Sequence, residues 1–103
     1  MAQNAPCEEC GVLEDVATKT PRMYRVLLHN DDYTTMEFVV EILCTVFRKQ
    51  PEQATAIMLT IHERGIGECG VYSREIAETK AALVRLRARA AGYPLKCTFE
   101  AVE

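Results

Sequence analysis

The stretch YRVLLHNDDYTTMEFVVEIL, residues 24–43, contains a strand pattern, a polar loop and the start of a helix in direct succession. Tyr24, Val26 and Leu28 occupy every second position, which predicts a β-strand with one face towards a core. Residues 30–32, one Asn and two Asp, then place several hydrogen-bond acceptors and no positive charge side by side. The stretch therefore predicts that a strand and a helix are joined by a loop of acceptors.

The helix after this loop is predicted to begin at Thr34. Thr34 and Glu37 fit the capping-box pattern, in which a hydroxyl caps the first turn and an acid three residues later bonds back. Apolar residues then recur at helical spacing, at Phe38, Val39, Ile42, Leu43 and Val46. This pattern predicts a helix with one buried face.

Two further helices have clear start and stop signals. Pro51 is favourable at a first helical position, and the helix over 51–64 is predicted to end at Gly65. Ser73 is predicted to cap a third helix, which runs to about residue 91 and stops at Gly92. The segments ECGVY, residues 68–72, and LKCTFEAV, residues 95–102, predict two more strands.

The predicted order is strand, helix, helix, strand, helix, strand. This order predicts an α+β domain, with three helices packed on one face of a small three-stranded antiparallel sheet. Residues 1–22 have little periodicity and are predicted to form a disordered extension, so that the folded domain spans 23–103.

Composition narrows the class of protein. The net charge of -3 argues against non-specific nucleic-acid binding, which needs a basic surface. No apolar run approaches the roughly 20 residues of a membrane span, and no signal-peptide pattern precedes the domain. These features predict a soluble, cytoplasmic protein that binds neither nucleic acid nor membrane.

Cys7 and Cys10 form an isolated C-x-x-C pair. A structural zinc site needs about four ligands, and no second close pair of Cys or His completes one. We interpret the pair as part of a solvated tail, with metal binding and redox chemistry as the less favoured readings, and expect the other three cysteines to be core residues.

Single residues do not reveal a catalytic site. His62 and the pair Asp31 and Asp32 would each be structural features if taken alone. A small hydrolase using Asp31 and His62 is conceivable, but no Ser, Thr or Cys lies in a nucleophile motif. The segment GIGECG follows a helix, whereas a phosphate-binding loop opens one, and the three adjacent acceptors match no metal-ligand spacing.

Taken together, four blocks resemble a known family. YRVLLHNDDYTTMEFVVEIL, ATAIMLTIH, CGVYSREIAETKAALV and YPLKCTFE occur in the order and spacing of ClpS, the bacterial N-end rule adaptor of the Clp protease. The resemblance covers about residues 24–100. It implies a non-enzymatic, monomeric adaptor without cofactor, which binds proteins with N-terminal Leu, Phe, Tyr or Trp. It also implies delivery of these proteins to the AAA+ unfoldase ClpA, for degradation by ClpP.

The resemblance also implies roles for individual residues. The positions that hold the substrate's α-amino group match Asn30, Asp31 and His62, and Asp32 matches the acid that supports the loop. The wall of the side-chain pocket matches Leu28, Thr34, Met36, Val39, Met58, Ile61 and Leu95. The surface that docks on the N-terminal domain of ClpA matches Tyr72, Glu75, Thr79 and Lys80. Residues 1–22 match the position of a flexible segment that acts on the unfoldase during handover.

Physical chemistry agrees with the implied amine site. A free α-amino group has a pKa of about 7.7–8.0, so near neutral pH it is mostly a cation with three donors. Asn30, Asp31 and a neutral His62 can supply acceptors, which an internal residue of a polypeptide could not satisfy. In the family, the methionine matched by Met36 disfavours β-branched first residues, so Ile and Val are predicted to bind poorly. An alternative function is regulation of the Clp unfoldase's substrate choice, with a pocket for N-terminal residues that is weak or vestigial.

Two positions depart from the family pattern. Thr35 replaces a common proline, and the cap is expected to remain at Thr34. His29 replaces a usually apolar residue, and strand alternation predicts that it points away from Leu28. We therefore expect altered surface chemistry and an intact pocket.

Overall fold

The structure, a computed structural model, describes residues 22–102. Strands β1 (Met23–His29), β2 (Ile66–Ser73) and β3 (Lys96–Ala101) form an antiparallel sheet in the order β2-β1-β3. Helices α1 (Met36–Thr45) and α2 (Pro51–Arg64) lie between β1 and β2, and α3 (Arg74–Ala91) lies between β2 and β3. The predicted fold class is confirmed. The predicted extension and the Cys7 and Cys10 pair lie outside the described residues, apart from Arg22.

The core lies on one side of the sheet. Val26 and Leu28 of the central strand are fully buried, and they belong to a single cluster with apolar residues of all three helices. Helix α3 contributes small residues at helical spacing, Ala77, Ala81, Val84 and Ala88. Side chains of this size allow the helix to lie close to the sheet.

The other side of the sheet carries polar residues of β1. Arg25 lies between Glu68 and Glu100, with nitrogen-to-oxygen distances of 3.9 and 3.7 Å. His29 Nε2 and Thr98 Oγ1 lie 2.9 Å apart across β1 and β3. His29 therefore points away from the core as predicted, and burial, with a contribution from Lys96, lowers its pKa.

The buried cysteines act as core residues. Cys69 and Cys97 are almost fully buried and Cys44 is half-buried, all as free thiols. Burial raises the pKa of Cys69 strongly and that of Cys97 to about 12, so both thiols are neutral. The prediction for these three residues is confirmed.

Most helix ends lie where the sequence places them. Pro51 begins α2, and Gly65 ends it in a left-handed conformation with φ of 87°. The hydroxyl of Ser73 caps α3 by accepting a hydrogen bond from the backbone N of Ile76, and Gly92 ends that helix with φ of 84°. Both glycines adopt a backbone conformation that other residues rarely adopt, which explains why these signals are strong.

The start of α1 differs from the prediction. Thr35 is the N-cap, and its Oγ1 accepts a hydrogen bond from the backbone N of Phe38 at 3.1 Å. The prediction that Thr34 caps this helix is wrong, because Thr34 is bound to Asp31 instead. Thr35 thus supplies a capping hydroxyl that a proline at this position lacks.

Candidate functional site

A cavity of about 250 Å³ opens where the loop after β1 meets α1 and α2. Nine residues line it: Asn30, Asp31, Asp32 and Thr34 from the loop, Met36 and Val39 from α1, and Met58, Ile61 and His62 from α2. One part of the lining is polar and the other is apolar. The cavity therefore has room for a small ligand with one polar end and one apolar end.

A backbone hydrogen bond brings the two polar segments together. The N–H of Asn30 donates to the carbonyl of Gly65 at 2.9 Å, which ties the start of the loop to the end of α2. His62 lies in the last turn of α2 and so faces the same cavity as Asn30, although 32 positions separate them along the chain. The left-handed conformation of Gly65 turns its carbonyl towards the loop.

Asp31 organises the loop through its carboxylate. Oδ1 accepts hydrogen bonds from the backbone N of Tyr33 at 2.8 Å and of Thr34 at 2.7 Å, and Oδ2 accepts one from Thr34 Oγ1 at 2.7 Å. Desolvation alone would raise the pKa of Asp31, but these hydrogen bonds outweigh it and hold the pKa below its usual range. The carboxylate is thus ionised and fixed in direction.

The remaining polar groups of the lining are available to a ligand. Asn30, Asp32 and His62 are exposed, and within residues 22–102 their side chains have no hydrogen-bond partner. No Lys or Arg belongs to the lining. Because the hydroxyl proton of Thr34 is donated to Asp31, that oxygen can offer only lone pairs to the cavity. The polar end therefore offers several acceptors and no Lys or Arg, which suits a cation with several donors.

The apolar end consists of side chains from the two helices. Ile61 is 2% exposed and Val39 is 7% exposed, so both are firmly packed in the core behind the cavity. Met36 is 43% exposed at its edge, and Met58 is half-buried. Leu28 and Leu95, which the family resemblance also assigns to the pocket wall, are buried in the core and do not line the cavity. Leu28 lies on the central strand, beneath the layer of helices.

The described residues contain neither a cluster of metal ligands nor a helix suited to a membrane. Among residues 22–102, no group of three or more His, Cys, Asp or Glu side chains is arranged to hold a metal ion. None of the helices described is both long and apolar enough to cross a membrane.

Comparison with protein families identifies the chain. The family model described as "ATP-dependent Clp protease adaptor protein ClpS" matches residues 19–98. The chain belongs to the ClpS family. The ClpS adapter of Nitratidesulfovibrio vulgaris strain DP4 is 64% identical over 98 residues, which covers 95% of this chain and 94% of the relative. The ClpS adapter of Maricaulis maris is 62% identical over 84 residues, which covers 82% of this chain and 77% of the relative.

A solved structure of a family member also matches. Agrobacterium tumefaciens ClpS2 bound to L-phenylalaninamide superposes with a TM-score of 0.78 at 41% sequence identity, covering 81% of this chain and all of the other. The fold and the family agree, and ClpS proteins are adaptors of the ATP-dependent Clp protease.

The four residues that the ClpS resemblance assigns to unfoldase docking have different surroundings. Glu75 and Thr79 are exposed on α3, whereas Tyr72 is half-buried. Lys80 Nζ donates to the carbonyl of Val46 at 2.7 Å and lies over the rings of Phe47 and Tyr72, at 5.9 and 5.2 Å from their centroids. Lys80 therefore also holds α3 to the end of α1.

Reading the sequence alone missed two features of this ClpS chain. One is the hydrogen bonding of Thr34 to Asp31. The spacing Asp-x-x-Thr was a usable signal, because an Asp side chain often accepts hydrogen bonds from backbone N–H groups two or three residues later in the chain. The other is the contact between Lys80 and Val46, which has no local signal because 34 positions separate the two residues.

Proposed function

We propose that this ClpS chain captures polypeptides by their free N-terminus when the first residue is Leu, Phe, Tyr or Trp. It then delivers them to the unfoldase ClpA for degradation by ClpP. The observation that carries the proposal is the two-ended cavity, which has acceptors and no Lys or Arg at its polar end and apolar side chains from two helices at the other. An α-amino group with a hydrophobic side chain has the complementary arrangement.

The known ligand of a relative supports this assignment. L-phenylalaninamide, bound to Agrobacterium tumefaciens ClpS2, has a free α-amino group next to an aromatic side chain. In this chain, Asn30, Asp31 and His62 would accept hydrogen bonds from the amino group, and Asp32 would support the loop from its exposed position. The phenyl or leucyl side chain would contact Met36, Val39 and Ile61.

Simple energetics agree with reversible capture. Hydrogen bonds to a charged group contribute roughly 1.5–3 kcal/mol each, and burial of a Leu or Phe side chain adds about 1.5–3 kcal/mol. After the cost of association, two or three such contributions correspond to a Kd on the order of 1 μM. An internal segment of a protein lacks the ammonium group and would leave the acceptors desolvated and unpaired. The site would thus select chain ends.

The geometry gives no support to a hydrolase that uses Asp31 and His62. Both residues line the cavity, but the Asp31 carboxylate is bound by Tyr33 and Thr34, and within residues 22–102 no hydrogen bond joins it to His62. A general base is expected to lie within hydrogen-bond reach of the group that it activates or orients.

Fluorescence anisotropy with a labelled peptide that begins with Leu tests the capture step. The same peptide with an acetylated N-terminus is the control, because acetylation removes the cation. We expect His62→Ala to weaken binding about 10-fold or more, as loss of one charge-assisted hydrogen bond predicts. The matched variant Glu63→Ala changes the next exposed residue, which does not line the cavity, and should bind as the original protein does. Equal binding of the acetylated peptide would refute the proposal, and absence of any binding would favour the regulator with a vestigial pocket.

Delivery requires a separate experiment with ClpA and ClpP. We propose that Glu75 and Thr79, together with Tyr72 and Lys80, dock on the N-terminal domain of ClpA. Residues 1–22 would act at handover. A chain that begins at residue 23 should bind the Leu peptide normally but degrade a Leu-initiated reporter protein more slowly. Normal degradation by the shortened chain would rule out that role.

A further inference from the structure

The cavity has a size that suits the first residue of a polypeptide, and the chain attached to that residue must continue out of it. Pockets for drug-sized ligands span about 300–1,000 Å³, whereas this one measures about 250 Å³. A side chain of the size of Leu or Phe together with its amino group would occupy it. The second residue of a bound polypeptide would therefore lie outside the cavity, against its rim.

An exposed aromatic residue lies between two residues that line the cavity. Tyr33 is 77% exposed, more than any other large hydrophobic side chain in the described residues. Its two neighbours, Asp32 and Thr34, both line the cavity. Its backbone N–H donates to Asp31 Oδ1, so a fixed turn presents the ring. An aromatic ring on an ordered backbone offers contact area at small entropic cost.

The charge next to this ring indicates which side chain it would suit. Asp32 is exposed beside Tyr33, and within residues 22–102 its carboxylate has no hydrogen-bond or ion-pair partner. A planar cation can stack on an aromatic ring and reach a carboxylate with the same group. Arginine combines these properties, and its long stem can cross the distance between the rim and the ring.

We propose that Tyr33 contacts the second residue of the captured polypeptide and, together with Asp32, favours arginine at that position. This inference rests on the proposed capture of free N-termini and adds a contact outside the cavity. It assigns a binding role to an exposed loop residue that does not itself line the cavity. Cation–π contacts at exposed sites correspond to about a two- to five-fold change in affinity.

The test uses peptides that begin with Leu and differ only in their second residue, which is Arg, Gln or Gly. Affinities are measured by anisotropy for the original protein and for Tyr33→Ala, Tyr33→Phe and Asp32→Asn. We expect the original protein to prefer Arg over Gly by about five-fold or more, since stacking and the carboxylate act together. Tyr33→Ala should reduce this ratio by about two- to five-fold, and Tyr33→Phe should retain it because the ring remains.

Asp32→Asn separates the ring from the charge. It should lower the preference for Arg over Gln while leaving a residual preference for Arg over Gly. The double variant that combines Asp32→Asn with Tyr33→Ala should remove this residual preference. Leu86→Ala, which truncates another exposed side chain far along the sequence on α3, is the matched control and should leave every ratio unchanged.

Three outcomes would overturn the inference. An unchanged Arg-to-Gly ratio in Tyr33→Ala would show that the ring makes no contact with the second residue. An equal loss of affinity for all three peptides in Tyr33→Ala would show that Tyr33 supports the loop structure or contacts the first residue of the peptide. These two results leave the capture of free N-termini intact, whereas equal binding of N-acetylated peptides would overturn both proposals.

Discussion

Thr34 donates two hydrogen bonds to the carboxylate of Asp31, one from its backbone N and one from Oγ1, each at 2.7 Å. Together with the bond from the backbone N of Tyr33, they fix the direction in which the acidic loop faces the cavity. A site for a cation benefits from such an arrangement, because the acceptors are oriented before the ligand arrives and less entropy is lost on binding. The carboxylate of Asp31 thus orders the loop, and under the proposed function it also supplies negative charge to the amine site.

Replacing Thr34 by Val tests this bonding. Val has nearly the same shape but lacks the hydroxyl, so Asp31 Oδ2 loses its partner within the described residues. We expect the free energy of unfolding to fall by about 0.5–1.5 kcal/mol and peptide affinity to fall by about three- to ten-fold. Thr34→Ser keeps the hydroxyl and should retain most of both quantities. If Thr34→Val has the same free energy of unfolding and the same peptide affinity as the original protein, this account is contradicted.

The pH dependence of stability should reflect Asp31. Because its pKa is lowered in the folded protein, its contribution is complete above the unfolded value of about 3.9 and is lost as the pH falls through the folded value. Urea denaturation at pH 6 and pH 3 measures the loss. Asp31→Asn cannot titrate, so the difference in stability between the original protein and this variant should shrink at pH 3. A difference that is the same at both pH values would show that Asp31 does not contribute to the pH dependence.

Met36 is predicted to exclude β-branched first residues. It is 43% exposed at the edge of the cavity, where bulk on Cβ of the ligand would meet it. Met36→Ala should reduce the preference for Leu over Ile and Val by about 10-fold, the usual scale for one hydrocarbon group in a pocket. Met36→Leu keeps similar bulk and should keep the preference, as measured with peptides that differ in the first residue. Unchanged discrimination in the Ala variant would place the gate elsewhere.

Gly67 maintains the position of Ile61 in the cavity wall. A Cβ added at Gly67 would lie 2.5 Å from Ile61 Cγ1, so Gly67→Ala must displace this side chain. We expect a loss of about 1–3 kcal/mol in the free energy of unfolding and an altered ranking of first residues. Gly92→Ala is the control, since it lies away from the cavity, its Cβ has nothing within 4 Å, and its φ of 84° is strained for alanine. It should lose stability without changing the ranking; the same ranking in both variants would contradict the role of Gly67.

Lys80 is expected to contribute to stability as well as to docking. Lys80→Met keeps the aliphatic stem but removes the ammonium group that binds the carbonyl of Val46 and lies over two aromatic rings. We expect a loss of about 1–3 kcal/mol in the free energy of unfolding, as for a hydrogen bond that involves a charged group. Glu75→Gln changes an exposed charge on the same helix and should leave stability within about 0.5 kcal/mol. If Lys80→Met binds ClpA more weakly but keeps the same free energy of unfolding, the contact between Lys80 and Val46 does not stabilise the fold.

The elements of the fold could be predicted because their signals are local. Pro51, Gly65, Ser73 and Gly92 each start or end a helix through the geometry of one turn, and the structure has all four where the sequence places them. The alternation along β1 likewise separated the buried Val26 from the outer face. The cap of α1 was missed because Thr34 and Thr35 carry the same hydroxyl, and competition from Asp31 decides which of them caps the helix.

The sequence by itself determined the order of the elements, the family and the residue types at the candidate site. Those properties depend on patterns and spacings along the chain. Only the tertiary structure decided that Asn30 and His62 line one cavity, that Leu28 lies buried outside it, and that Lys80 binds the carbonyl of Val46. Such contacts join residues distant in sequence, and each depends on which of several competing partners the packing of helices on the sheet brings within reach.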